Sequence, residues 1–260
     1  MKYLIFITTL FFFFTPLCVS AAEPFVYATE NNSVVYNNGG SEIWPIASLT
    51  KLMTAMVLAD MKLNWNAPVA LVHKDELGGA RLRVRVGQAY RRIDLLHASL
   101  MGSANNATHA LARTSGLTMA QFVTRMNAKA RELGMVSAHF VDPTGLDIKN
   151  TASAEDVALL VTAARHYTLI HEIGMKKKYT LLSLGKNPRE HTIKSTNKLL
   201  REGESVELGK TGYLVESQYN FAMVCNSATG GERTVVVLGA PSESRSFQIA
   251  RQYANLPEHE

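Results

Sequence analysis

The sequence predicts an α+β protein in which helices cover an antiparallel sheet. Three observations carry that reading: β-rich runs near both ends of the chain, helical periodicity between them, and a last helical face after the final β run. Residues 25–29 and 33–36 are β-rich and flank Glu30-Asn31-Asn32, a hairpin signal. Leu49, Leu52, Met53, Met56 and Val57 fall at helical spacing, so a helix begins near Ser48. Residues 91–101 read as a second helix, interrupted at Gly102-Ser103 and resuming over 107–113. Thr118 and Gln121 form a capping-box pattern ahead of Phe122, Met126, Ala130 and Leu133, and Gly134 is a natural stop. Val157, Leu160, Val161 and Ala164 mark a further helix after Ser153. The period then changes. Val206-Glu207-Leu208 alternates, 221–225 is compact and apolar, and 234–238 is rich in β-branched residues. With Gly230-Gly231 as the turn between the last two, these runs predict an antiparallel meander. A final helix from about Ser242 places Phe247, Ala250, Tyr253 and Ala254 on one face.

The chain has 260 residues, 47% hydrophobic and 19% charged. That is ample for a core without disulfide staples, and it excludes collagen-like, low-complexity and disordered classes. A formal net charge of +5 permits an anionic partner without naming one. Lys2 supplies a positive start, residues 3–19 are largely apolar, and Pro16 breaks the run ahead of Ser20, Ala21 and Ala22. This is the layout of a secretory signal peptide over residues 1–21, cleaved after Ala21 or Ala22, with 22–260 as one domain. Cleavage removes Cys18 and leaves Cys225, which sits in an apolar run that reads as a buried strand. No second apolar stretch reaches spanning length, so the expectation is a soluble exported protein without an integral membrane anchor.

Ser48-Leu49-Thr50-Lys51 places a hydroxyl and an amine on one helical face. A helix N-terminus favours an alkoxide and disfavours an ammonium, and apolar Leu52 and Met53 reduce the solvation of Lys51. Both effects favour a neutral Lys51 able to take the Ser48 proton, a known arrangement for acyl transfer. The spacing alone is weak, because Ser183-Leu184-Gly185-Lys186 and Ser195-Thr196-Asn197-Lys198 share it. The first runs into the loop signal Asn187-Pro188, and the second opens no comparably periodic helix. A second element, Ser103-Ala104-Asn105, lies at a break between helices, where a hydroxyl and an amide can project into a cleft or merely cap a helix. A third, Lys210-Thr211-Gly212, ends an apparent strand whose edge can pair with an extended peptide while Lys and Thr face its carboxylate. Gly212 lets substrate approach the backbone closely.

Taken in this order, the three triplets resemble the S-x-x-K, S-x-N and K-T-G motifs of the penicillin-recognising serine acyltransferases. Residues 46–56 resemble the active-site helix of D-alanyl-D-alanine carboxypeptidases, and residues 126–135 and 142–146 are also similar to that family. The resemblance is strongest to the short D-alanyl-D-alanine endopeptidases, since the polar, acidic end of the chain offers neither an added β domain nor an amphipathic anchor. It implies a β-lactamase/transpeptidase-like fold with a helical subdomain, a periplasmic location and no cofactor or metal. It further implies that Ser48 is the nucleophile, Lys51 its base, Ser103 a proton relay and Asn105 an orienting amide. Lys210, Thr211 and Gly212 would bind substrate, and the backbone N–H groups of Ser48 and Tyr213 would form the oxyanion hole. The implied partners are peptidoglycan stem peptides, with β-lactams as covalent inhibitors. Whether the leaving group is free D-alanine or a cross-linked diamino acid stays open.

Four other readings fare worse. A class A β-lactamase wants Ser-Asp-Asn where this chain has Ser103-Ala104-Asn105, and no E-x-x-L-N pattern follows. A phosphate loop needs four residues between its glycines, whereas five separate Gly203 from Gly209. His166 and His171 are not spaced to share a helical face, and no H-E-x-x-H occurs. A non-catalytic wall scaffold is opposed by three intact motifs. The basic residues Arg81, Arg83, Arg85, Arg91 and Arg92, with 176–178, read as solvated faces, and no nucleic-acid motif occurs.

Overall fold

The computed structural model describes residues 23–227 and 230–254. Residues 1–22, which include the expected signal peptide, and the polar tail from 255 onward lie outside the described residues. Strands β1 (Phe25–Glu30) and β2 (Ser33–Asn38) form the expected hairpin. Asn31 and Asn32 turn it with φ of 48° and 64°, the left-handed pair a two-residue primed turn needs and Asn tolerates. After β3 (Trp44–Pro45), a 3₁₀ turn over Ala47–Leu49 leads into α1 (Thr50–Asp60). There follow β4 (Pro68–Ala70), β5 (Ala89–Arg91), α2 (Arg92–Met101), α3 (Asn105–Arg113) and α4 (Met119–Glu132). Next come β6 (Thr151–Ala152), α5 (Ala154–Arg165), α6 (Thr168–Gly174), β7 (Lys178–Leu182), β8 (Glu190–Lys194) and α7 (Lys198–Glu202). The chain closes with β9 (Val206–Leu214), β10 (Gln218–Asn226), β11 (Glu232–Ala240) and α8 (Glu243–Ala254).

The main sheet has the order β2-β1-β11-β10-β9 and is antiparallel throughout. Its two central strands explain why 221–225 and 234–238 are unbroken apolar runs. Successive side chains point to opposite faces, and both faces are covered. Ala222, Val224, Val236 and Leu238 join the core shared with α1 and α5, whereas Phe221, Met223, Cys225, Val235 and Val237 join the core under α8. Cys225 is fully buried in that second core, and desolvation pushes its thiol up to about 12, as expected for an inert packing residue. Helix α1 runs through the middle, buried from Thr50 to Leu58. β9 forms one edge of the sheet and passes beside the 3₁₀ turn that precedes α1.

Two parts of the sequence reading change. Arg92 is buried rather than solvated: its guanidinium donates to the carbonyls of Asn64 and Thr114, tying α2 to loops on either side. The hairpin of β7 and β8, unread in the sequence, leans Tyr179 on His97 with ring centroids 3.6 Å apart and an interplanar angle of 12°. His97 Nδ1 lies 2.9 Å from the Ile93 carbonyl, and Lys176 lies 3.2 Å from Nε2. Burial, opposed by the Ile93 hydrogen bond, pushes the imidazole down to about 4 from 6.5. Between those two values the unfolded chain takes up a proton that the fold refuses, so stability falls as pH drops through that window. At about 1.4 kcal/mol per unit the loss is on the order of 3 kcal/mol. His97→Phe keeps the stacked ring and is expected to flatten the fall in Tm between pH 6.5 and 4. An equally steep fall in the variant would assign the acid sensitivity to other groups.

Candidate active site

The three triplets, far apart in sequence, converge where the edge of β9 meets the start of α1 and the break between α2 and α3. Ser48 lies within the 3₁₀ turn, half-buried, behind Ala47 in a left-handed conformation (φ 47°). Three residues on, in the first turn of α1, Lys51 is completely buried. Its Nζ lies 2.7 Å from Ser48 Oγ, 2.7 Å from Asn105 Oδ1 and 2.6 Å from the Thr144 carbonyl. Asn105 donates its Nδ2 to the Gly78 carbonyl at 2.9 Å, which fixes the amide with its oxygen toward Lys51. Two of the three Nζ partners can therefore only accept. A neutral amine has two N–H groups for those two oxygens and one lone pair for the Ser48 hydroxyl.

The surroundings favour that neutral form. Burial holds Lys51 well below the usual lysine range, and the nearby Lys210 lowers it further, against a smaller opposing pull from Asp142. Lys210 is also buried, and loss of solvation brings it down to about 7. Its Nζ donates to Ser103 Oγ at 2.8 Å and to the Thr211 carbonyl at 2.7 Å. Ser103 is held at φ 55°, rare for a residue with a side chain, in the loop between α2 and α3. The break read from the sequence thus places the Ser103 hydroxyl against Lys210, while Asn105 opens α3 facing Lys51.

The Gly212 backbone explains why its position carries no side chain. A Cβ there would lie 2.9 Å from the Ile46 carbonyl and 3.2 Å from the Ser48 nitrogen. The strand edge and the Ser48 amide are therefore in close register. Above this floor opens a cleft of about 410 Å³, walled by Gly79 and Ala80 on one side and by Thr211, Gly212 and Tyr213 on another. Tyr213 is half exposed and packs against the Tyr219 ring at 4.4 Å, giving the cleft an aromatic lip.

Two contributors were not singled out from the sequence. The Thr144 carbonyl reaches Lys51 because Asp142 gathers the loop around itself, accepting from the Thr144 and Gly145 amides, the Thr144 hydroxyl, the Asp147 amide and Asn150. Burial would raise the Asp142 carboxyl, but these donors outweigh it, led by the Thr144 hydroxyl, and hold it below the usual range. Thr196 lines the cleft and shares a 2.7 Å hydroxyl contact with Thr211. It belongs to the Ser-Thr-Asn-Lys stretch that mimics the first motif; there Asn197 caps the short α7 by accepting from the Leu200 amide.

The family model for D-alanyl-D-alanine carboxypeptidase, peptidase S11, matches residues 15–242. A D-alanyl-D-alanine endopeptidase of Pseudomonas aeruginosa is 35% identical over 215 residues, covering 80% of this chain and 68% of that protein. An Escherichia coli protein of the same name is 34% identical over 200 residues, covering 75% of this chain and 64% of its own length. Among solved structures, the Streptomyces K15 DD-transpeptidase superposes with a TM-score of 0.84 at 26% identity, covering 91% of this chain and 97% of that one. The transpeptidase-like fold expected from the motifs is thus the fold observed. With its motif residues assembled around one cleft and the family match spanning nearly the whole described chain, this protein belongs to the S11 peptidase family, the D-alanyl-D-alanine carboxypeptidases.

Proposed function

We propose that this chain is a serine D,D-peptidase that cleaves D-alanyl peptide bonds of peptidoglycan through an acyl-enzyme on Ser48, acting in the periplasm as an endopeptidase on cross-links. The observation that carries the reading is the buried amine of Lys51, 2.7 Å from Ser48 Oγ with both its hydrogens directed to accept-only oxygens. Lys51 withdraws the hydroxyl proton as Ser48 attacks the carbonyl of the penultimate D-alanine. The backbone N–H groups of Ser48 and Tyr213 receive the oxyanion, each donor worth about 3 kcal/mol of barrier. The proton taken up by Lys51 is relayed through the Ser103 hydroxyl, held by Lys210, to the departing amine, and Asn105 keeps Lys51 aimed. Lys210 and Thr211 hold the carboxylate beyond the scissile bond, while the edge of β9 pairs with the extended substrate. Water then releases the acyl group. A β-lactam presents the same amide geometry and acylates Ser48 in the same way.

Support for an endopeptidase comes from the names of relatives at 34–35% identity, and for cell-wall action from the family. No helix among the described residues is long and apolar enough to cross a membrane. Mass spectrometry of purified cross-linked muropeptide dimers incubated with the protein tests the reading. Conversion of dimers to monomers by wild type but not by Ser48→Ala is the expected result. Release of D-alanine from pentapeptides with dimers left intact would replace the endopeptidase by a carboxypeptidase. The loss of both activities, with no penicillin adduct, would end the catalytic reading.

A further inference from the structure

A second depression of about 500 Å³ begins where one wall of the cleft ends. On one side the chain passes from Gly79 and Ala80, which face the cleft, directly into Arg81, Arg83 and Arg85, which line the groove. On the other, Arg189, just ahead of β8, lines the groove, and the chain beyond β8 reaches the cleft at Thr196. Between them, Ile193 of β8 lies 3.0 Å from where a Cβ on Gly102 would be, and Gly102 lines the cleft. The two depressions thus meet at Ala80 and Arg81, with no lining residue in common.

The groove is charged in a one-sided way. Glu76 is occupied, accepting from Asn106 and paired with Arg81 at 3.4 Å. Among the described residues, Arg83, Arg85 and Arg189 have no ion pair, although all three are exposed and share one depression. Glu190 is the other carboxylate there. Like charges grouped without counter-charges cost stability unless a ligand supplies the anions, and a guanidinium fork matches a carboxylate in bidentate fashion.

We propose that this arginine-lined groove binds the second, carboxylate-bearing peptide strand of a cross-linked substrate while the first strand lies in the cleft. The inference rests on the peptidase reading of the cleft and deepens it: a cross-linked dimer carries a second peptide with its own carboxylates, and the groove begins one residue beyond the cleft wall. A single D-alanyl-D-alanine terminus has no use for the groove.

The test measures binding separately from cleavage. Fluorescence anisotropy of labelled muropeptide dimer is followed on the non-cleaving Ser48→Ala protein, with and without Arg83→Gln, Arg85→Gln and Arg189→Gln together. Three exposed charge pairs lost at once are expected to weaken dimer binding about tenfold. The loss shrinks as salt rises, because the interaction is screened. It disappears when the dimer's carboxylates are amidated, and the thermal midpoint does not move, since all three side chains are exposed. Unchanged dimer affinity, or the same loss with the amidated dimer, overturns the proposal. So does arginine-dependent binding to phosphatidylglycerol vesicles with dimer affinity unmoved, which would make the groove a membrane contact. Failure of the wild-type protein to cleave dimers is a separate result and strikes the endopeptidase reading instead.

Discussion

Lys51→Met is expected to slow acylation of Ser48 by penicillin by on the order of 10² to 10⁴, the range a positioned general base supplies. Methionine is close to lysine in length and fills the buried site, so the variant leaves no large cavity. It leaves the Asn105 oxygen and the Thr144 carbonyl without their donor, at about 1–3 kcal/mol for each unsatisfied group. Lys51→Arg should fail as well, because a guanidinium keeps its proton and offers no lone pair. The readout is the rate of adduct formation by mass spectrometry, with circular dichroism as the check on folding. A folded Lys51→Met protein acylated within tenfold of wild type would remove Lys51 from the proton path.

The pH profile gives the same assignment a second reading. With Lys51 as the proposed base, acylation is expected above that group's lowered pKa and is expected to be lost as pH falls through it. Holding a carboxylate requires cationic Lys210, so kcat/KM falls as pH rises through about 7 in the free protein. A bound carboxylate favours the ammonium form, which moves the corresponding limb of kcat to higher pH. The residual activity of Lys51→Met should keep the descending limb and lose the ascending one.

Gly145→Ala is the substitution expected to do most damage for one methyl group. Its Cβ would stand 1.9 Å from the Ala47 carbonyl oxygen and 2.4 Å from the carbonyl carbon, and both belong to backbone that cannot swing aside. The glycine also sits at φ 79°, where alanine is strained. Overpacking and strain together cost on the order of 3 kcal/mol or more. In a chain of this size that lowers Tm by on the order of 10 °C. Relief by movement would displace either Ala47, next to the nucleophile, or Thr144, whose carbonyl holds Lys51. A shift of about 1 Å is enough to cost on the order of 10² in rate. Gly134→Ala is the control: φ is 77°, but nothing lies within 4 Å of its Cβ. It should cost about 1 kcal/mol and leave acylation alone. Equal effects at the two positions would show that backbone strain, not the clash with Ala47, dominates.

Much of this was legible in the residues, for reasons that are local. The capping box at Thr118 and Gln121 is made as read, each residue bonding the other's amide, and Ser153 caps α5 through the Asp156 amide. Ser48 and Lys51 are three apart at a helix start, so their contact follows from helical geometry. What escaped has no side-chain signature. The Thr144 contribution is a carbonyl, which any residue could supply, positioned by the Asp142 carboxylate; residues 142–146 stood out only by resemblance, with no role attached. The full length of β9 was hidden because Gly209, Lys210 and Gly212 interrupt its alternation, and a lysine at a buried position reads as exposed until Ser103 is seen opposite it. The hairpin of β7 and β8 was missed because only Tyr179, Leu181, His191 and Ile193 of its ten residues turn inward.

The position of β1 has a consequence for how the molecule comes into being. The first strand finds no place at an edge of the sheet. It is sandwiched between β2 and β11, with Tyr27 opposite Val236. Its partner is thus some two hundred residues later in the chain, and Ser48 must likewise wait for Lys210 and Gly212. Contacts of such long range carry a large loop-closure entropy and slow folding. A chain threaded across a membrane from its N-terminus would present the nucleophile long before the strand that completes its cleft. In such a chain, competence to react with substrate or antibiotic would arrive only after β9 and β11 had emerged and docked.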